Sequence, residues 1–165
     1  MAHIVLTGAL GVGKSTIVDR TIARSALSVG GFRTYFAGGR HTDLYLSPAG
    51  GPRLYDPAHV VVRFPEDGPP QADAARFDAL GAPLVDAPCP LLILDECGRL
   101  ERDARRFQAA VLAAFDRDAP ILAVVREGFP GWTRQIVDHP SATLLTVTEE
   151  NRDRLPGQIA DALGL

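Results

Sequence analysis

Nine residues near the amino terminus have the types and the spacing to hold a polyphosphate: Gly8-Ala9-Leu10-Gly11-Val12-Gly13-Lys14-Ser15-Thr16. The pattern is G-x-x-x-x-G-K-S. Glycines at 8, 11 and 13 let the backbone take positive φ angles and come close to a ligand. Their N–H groups can then turn inward as a nest for an anion. A helix starting at the loop would add unpaired N–H donors and the positive end of its dipole. Lys14 would reach the β- and γ-phosphates of a nucleotide, and the Ser15 hydroxyl would ligate Mg2+. Lys14 is also the only lysine in the chain; every other basic residue is an arginine or a histidine. A compact ammonium on a thin stem suits this crowded position, where a planar guanidinium does not.

A second set of residues completes the chemistry. Leu91-Leu92-Ile93-Leu94 is continuously apolar and is followed by Asp95-Glu96. Such a run predicts a strand covered on both faces, with two carboxylates at its tip. Asp95 would hold Mg2+ beside Ser15. Glu96 would orient and polarise an attacking water. The charge on a transferring phosphoryl group calls for another cation. Arg126 is the choice by position, at the carboxyl end of the apolar run Pro120–Val125, the edge where open α/β sheets bind ligands. The expected catalytic residues are therefore Lys14, Glu96 and Arg126, and the expected metal ligands Ser15 and Asp95.

Other candidates carry a plainer alternative. Arg40, Arg99 and Arg102 could reach a phosphate or stand as solvated surface arginines. Arg105 and Arg106 belong on the outer face of a helix. Phe129 and Trp132 could stack on a base or simply pack a loop. His3, His41, His59 and His139 show no ligand spacing. Cys89 and Cys97 make neither a disulfide framework nor a zinc site. They read as inert thiols in a reducing cytoplasm.

The elements that must position these groups follow from periodicity. His3–Thr7 reads as the first strand and residues 14–27 as the first helix, stopped by Gly30-Gly31. Residues 32–37, 42–46, 53–55 and 59–64 alternate as strands around turn-rich stretches, a hairpin or meander. Residues 71–80 read as a helix, with a further helical turn over 83–87. Glu101 to Phe115 is the strongest helix, with Phe107, Ala110, Val111, Ala114 and Phe115 on one face. Residues 120–125 and 142–147 are strands, and 131–139 a short helix. Thr148 is expected to cap a last helix reaching Leu163, kinked near Pro156-Gly157.

Composition bounds the function. A chain of 165 residues fits one domain over 1–165, large enough for a real core. A net charge of −3 and the lack of a basic stripe argue against nucleic acid as the main partner. No apolar run approaches the roughly 18 residues of a membrane span. The loop arrives by residue 8, so no leader peptide is expected and the location is expected to be cytoplasmic.

These motifs together resemble the small nucleoside-triphosphatases of archaea, bacteria and animals, the thermophilic-type or cancer-related nucleoside-triphosphatase family. Besides Thr7–Thr16, the resemblance rests on Asp95-Glu96-Cys97-Gly98-Arg99-Leu100-Glu101, matching Asp-Glu-x-Gly-x-x-Glu. It also rests on Val147-Thr148-Glu149-Glu150-Asn151-Arg152, matching Val-Thr-x-x-Asn-Arg, and on Gly31-Phe32. The family's usual loop threonine is Ser15 here. The resemblance implies an α/β fold: a P-loop NTPase three-layer sandwich similar to RecA and AAA+ proteins. Its central sheet would be mainly parallel, with the meander over about residues 32–64 added. It implies slow, Mg2+-dependent hydrolysis of ATP, GTP or other nucleoside triphosphates to the diphosphate, with Glu96 activating water. Asn151 would either meet the nucleotide or fix the last helix.

Two other functions share the phosphate loop. A small-molecule or nucleoside kinase would transfer phosphate to an acceptor faster than to water. A nucleotide-dependent switch would use slow hydrolysis to time binding of a protein partner.

Overall fold

The structure, a computed structural model, describes residues 3–38 and 42–165. In chain order the strands are β1 (His3–Thr7), β2 (Val29–Phe36), β3 (Leu44–Pro48), β4 (Val60–Arg63), β5 (Gln71–Ala72), β6 (Leu91–Cys97), β7 (Ile121–Val125) and β8 (Ala142–Thr146). The helices are α1 (Lys14–Arg24), α2 (Ala74–Arg76), α3 (Ala82–Asp86), α4 (Arg105–Ala114), α5 (Arg134–Val137) and α6 (Leu155–Leu163).

All eight strands share one sheet in the order β5-β4-β3-β2-β6-β7-β1-β8. From β2 to β8 every pairing is parallel. From β2 to β5 every pairing is antiparallel. β2 therefore belongs both to the parallel core and to the meander. β7 lies between the strand that leads into the phosphate loop and the strand that ends in Asp95-Glu96.

The alternation of β6 shows why this is a three-layer sandwich. Leu91 and Ile93 join Ile17 and Val18 of α1 and Leu155, Ile159 and Leu163 of α6 on one face. Leu92 and Leu94 join Phe77, Val85, Phe107 and Val111 on the other. With apolar groups on both sides, a central parallel strand has no polar face to show. The buried stripe of α4 is Phe107, Ala110, Val111 and Ala114, as helical periodicity predicts.

Several element boundaries differ from the sequence expectation. α1 stops at Arg24, because Ser25 is extended (φ −84°, ψ 136°). Gly30 and Gly31 are no helix stop; they lie within β2. Gly31 has φ +90°, and a Cβ there would meet the Ile93 carbonyl oxygen at 2.0 Å. Glycine is needed because the backbone of β6 passes too close for a side chain. Residues 53–55 form no strand. Leu54 N–H donates to Ser47 Oγ instead, and Tyr55 packs edge-on against Tyr45.

Gln71 and Ala72 extend the sheet, and helix begins only after Asp73, whose carboxylate accepts the Arg76 N–H. Glu101 precedes the long helix, in a short 3-10 turn over Arg99–Glu101. Thr148 caps a turn rather than the helix proper, which starts at Leu155. Pro156 sits in the first turn of α6, where its missing N–H costs nothing, so it gives no reason for a kink.

Candidate active site

The phosphate loop links β1 to α1, and its glycines have the backbone that the sequence demands. Gly8, Gly11 and Gly13 all have positive φ, at 144°, 77° and 110°. At Gly8 a Cβ would stand 2.7 Å from the Val147 carbonyl oxygen, so the turn is also packed against the end of β8. The Lys14 ammonium lies along the loop and donates to the carbonyls of Gly8 (2.7 Å) and Ala9 (3.0 Å). Burial lowers its pKa, while Glu96 and other nearby carboxylates pull it back up.

The sheet carries Asp95 and Glu96 to the same place. Ser15 Oγ lies 3.5 Å from Asp95 Oδ1, across 80 residues of sequence. The other carboxylate oxygen of Asp95 is taken by Arg33, which donates from Nε at 3.1 Å and from Nη2 at 2.9 Å. Arg33 also donates to the Ser15 carbonyl at 3.2 Å and to the Asp19 carboxylate. Its partners thus lie on both β6 and α1. Burial pushes the Asp95 carboxyl up, and the Arg33 guanidinium opposes that shift.

Glu96 faces the tip of β7, where Arg126 Nη1 donates to Glu96 Oε1 at 3.4 Å. The Asp95–Glu96 peptide is cis. Burial raises the Glu96 pKa and Asp95 adds to the rise, while Arg126 and Lys14 lower it. The residues after Glu96 are held from three directions. Gly98 N–H donates to Glu101 Oε2 at 2.7 Å, and Trp132 Nε1 donates to the Gly98 carbonyl at 2.9 Å. Arg126 N–H donates to the Cys97 carbonyl at 2.9 Å. Glu101 is 3 % exposed, and burial raises its pKa to about 8.

Ser15 Oγ and Asp95 Oδ1 are hard oxygens and suit Mg2+, which takes one or two protein oxygens and completes its shell with phosphates and water. Among the described residues no group of three or more His, Cys, Asp or Glu side chains could hold a metal. A cation held by these two oxygens would take the rest of its shell from water or a bound phosphate.

The structure brings Lys14, Ser15, Asp95, Glu96 and Arg126 to one edge of the sheet, with Gly8 to Thr16 forming the loop and the start of α1. Other candidates lie elsewhere. Arg102 pairs with Asp103 at 3.7 Å, both largely exposed. Arg105 and Arg106 are exposed on α4. Arg40 and His41 fall outside the described residues. Trp132 packs against Phe107 and holds Gly98, so its ring is structural here. Phe129 has the Arg99 guanidinium 5.9 Å from its ring centre. Asn151 accepts the Thr148 N–H at 2.8 Å and donates to the Thr146 carbonyl at 2.9 Å, fixing the turn before α6. Both cysteines are free. Cys97 is buried, and burial raises its thiol pKa well above the ordinary range; Cys89 is only partly buried.

Sequence reasoning missed Arg33 and left Arg152, part of the motif quoted above, without a role. Arg33 alternates like any strand residue, and only the register Arg33↔Asp95 between β2 and β6 gives it a role. Arg152 donates to the Val12 carbonyl at 3.3 Å and so braces the phosphate loop from α6's side.

A family model described as NTPase matches residues 3–160. The chain belongs to the NTPase family. Nucleoside-triphosphatase THEP1 of Thermofilum pendens is 32% identical, over 96% of this chain and 93% of the relative. The THEP1 of Methanosarcina barkeri is 29% identical, over 98% and 97%. Among solved structures, THEP1 from Aquifex aeolicus superposes with a TM-score of 0.81 at 23% identity, covering 99% of each chain. A human cancer-related nucleoside triphosphatase gives 0.77 at 25% identity, covering 99% of this chain and 97% of that one. These neighbours share the P-loop NTPase fold of this family member. No helix among the described residues is long and apolar enough to cross a membrane.

Proposed function

We propose that this chain hydrolyses nucleoside triphosphates to the diphosphate and phosphate, with Mg2+ as cofactor. Family membership and the THEP1 relatives support the nucleoside-triphosphatase class. The observation that carries the mechanism is the approach of Asp95 to Ser15, at 3.5 Å, with Glu96 beside it at the end of the same strand.

In this reading the loop N–H groups and Lys14 hold the β- and γ-phosphates, with the ammonium leaving the carbonyls of Gly8 and Ala9 for phosphate oxygens. Ser15 and Asp95 would hold Mg2+, which when bound neutralises charge on those phosphates. Arg33 keeps Asp95 aimed at Ser15. Glu96 accepts a hydrogen bond from the attacking water and aligns it with the γ-phosphorus. Arg126 shares its guanidinium between Glu96 and the equatorial oxygens of the transferring group.

The test is Glu96→Gln with ATP and GTP. Nucleotide binding should persist, and phosphate release should fall by about 10²–10⁴-fold. Unchanged phosphate release would remove Glu96 from the mechanism. Phosphate release that is indifferent to Mg2+ would remove the cofactor.

A further inference from the structure

A cleft of about 600 Å3 opens beside Glu96 and Arg126. A water molecule takes up roughly 30 Å3. Ser15 and Asp95 also line it, so in the reading above part of it takes the γ-phosphate and Mg2+, and the part under β2, β3 and β4 lies beyond what one attacking water needs. The size of the whole cleft is that of a small-molecule site.

In the reading above, the far part of the cleft lies past the γ-phosphate end of the nucleotide rather than at its nucleoside. The γ-phosphate is the free end of the triphosphate, and in the reading above it points at Glu96. The nucleoside, joined through the α-phosphate, leaves in the opposite direction. Beyond β6 the sheet continues as β2, β3 and β4, and these strands supply the far part of the cleft. Thr34 and Phe36 come from β2, Leu44 from β3 and Phe64 from the end of β4.

The lining says what kind of molecule would fit. Phe36 and Phe64 form an edge-on pair with centres 5.4 Å apart. Phe129 lines the cleft too, with the Arg99 guanidinium against its ring. Leu10 and Phe36, which also line it, are 59 % and 36 % exposed. Large side chains left open in a concave, mainly apolar site are typical of ligand contacts. Charge narrows the class further. Glu101, raised to about 8 by burial, keeps its proton at pH 7, so the charged lining residues described are Asp95, Glu96 and Glu127 against Arg99 and Arg126. A surplus of carboxylates repels a phosphorylated acceptor and tolerates an uncharged one.

We propose that this cleft binds an uncharged aromatic alcohol as phosphoryl acceptor, with its ring among Phe36, Phe64 and Phe129 and its hydroxyl at Glu96. The inference rests on the nucleotide site described above and adds a second substrate to it. The acceptor oxygen attacks the γ-phosphorus and forms the new P–O bond. The bond from the γ-phosphorus to the bridging oxygen breaks, and its electron pair leaves on the nucleoside diphosphate. The hydroxyl proton passes to the Glu96 carboxylate. Water is then the default nucleophile when no alcohol is bound.

The experiment follows the γ-phosphate by phosphorus NMR, using the full chain with Mg2+ and ATP. The probes are 2-phenylethanol, pyridoxine, adenosine and uridine, with AMP as the charged comparison. The expected result is a phosphate monoester of at least one uncharged probe, formed faster than inorganic phosphate. Phe36→Ser, its folding checked by thermal unfolding, should raise that probe's KM at least tenfold. Inorganic phosphate alone with every probe overturns the acceptor site and leaves the NTPase reading standing. Neither product overturns both. Faster transfer to AMP than to any uncharged probe overturns the ligand class. A monoester formed equally well by Phe36→Ser overturns the location.

Discussion

Replacing Arg33 by methionine should unfold this protein more than any surface arginine substitution. The guanidinium makes two hydrogen bonds to Asp95, one to the Ser15 carbonyl and one to Asp19. Its two acidic partners respond differently to its loss. The Asp19 side chain is 51% exposed and can be solvated where it stands. That of Asp95 is 5% exposed and has no such recourse. Removing one member of a buried pair costs about 3–5 kcal/mol, because the remaining charge is stranded. A stranded carboxylate can instead bind a proton. From an ordinary value of 3.8, that escape costs no more than about 4 kcal/mol at pH 7. The two routes agree on a loss of about 3–4 kcal/mol.

Urea denaturation at pH 7 measures the loss directly. The double variant Arg33→Met/Asp95→Asn removes the stranded charge and should recover much of it. A loss below about 1 kcal/mol for Arg33→Met, or a double variant no more stable than the single one, would refute the clamp.

Lys14→Ala should weaken nucleotide binding by roughly 10- to 100-fold, the worth of a charge-assisted hydrogen bond; titration with a fluorescent nucleotide reads it. Glu101 gives a pH signature. Its carboxyl is raised from an ordinary 4.5 to about 8 by burial, so between these values the unfolded chain has released a proton that the folded chain keeps. Stability should be fully retained below 4.5 and fall as pH rises towards 8, by on the order of 3 kcal/mol at pH 7. Glu101→Gln should flatten that slope in urea midpoints measured from pH 5 to 8, and parallel slopes would show Glu101 is not its source. Gly31→Ala should destabilise by at least about 3 kcal/mol, since the new Cβ meets the Ile93 backbone at a positive φ; a thermal midpoint near wild type would contradict the close β2–β6 approach.

What the sequence determined by itself was local. Nine contiguous residues specify the phosphate loop, because glycine conformational freedom and one lysine act over a single turn of chain. The buried strands at 3–7, 91–94 and 121–125 and the apolar stripe of α4 follow from side-chain periodicity, also a short-range property. The joining of the loop to Asp95-Glu96 followed from an apolar strand ending in two carboxylates, and the resemblance added the motifs around them.

Only the tertiary structure decided which distant residues meet. Arg33 reads as an ordinary strand residue until β2 pairs with β6 and sets it opposite Asp95, 62 positions away. Glu101 and Trp132 read as a helix residue and a loop aromatic until both are seen to hold Gly98. Arg152 reads only as part of a motif with no role until α6 packs beside α1 and brings it to the loop. Of the two glycines that resembled a helix stop, Gly31 serves the close approach of β2 to β6, and Gly30 leaves room for the Cys89 side chain. Each of these contacts depends on the order of strands in the sheet. That order is chosen by burial of the whole core at once, and no short stretch of chain carries a signal for it.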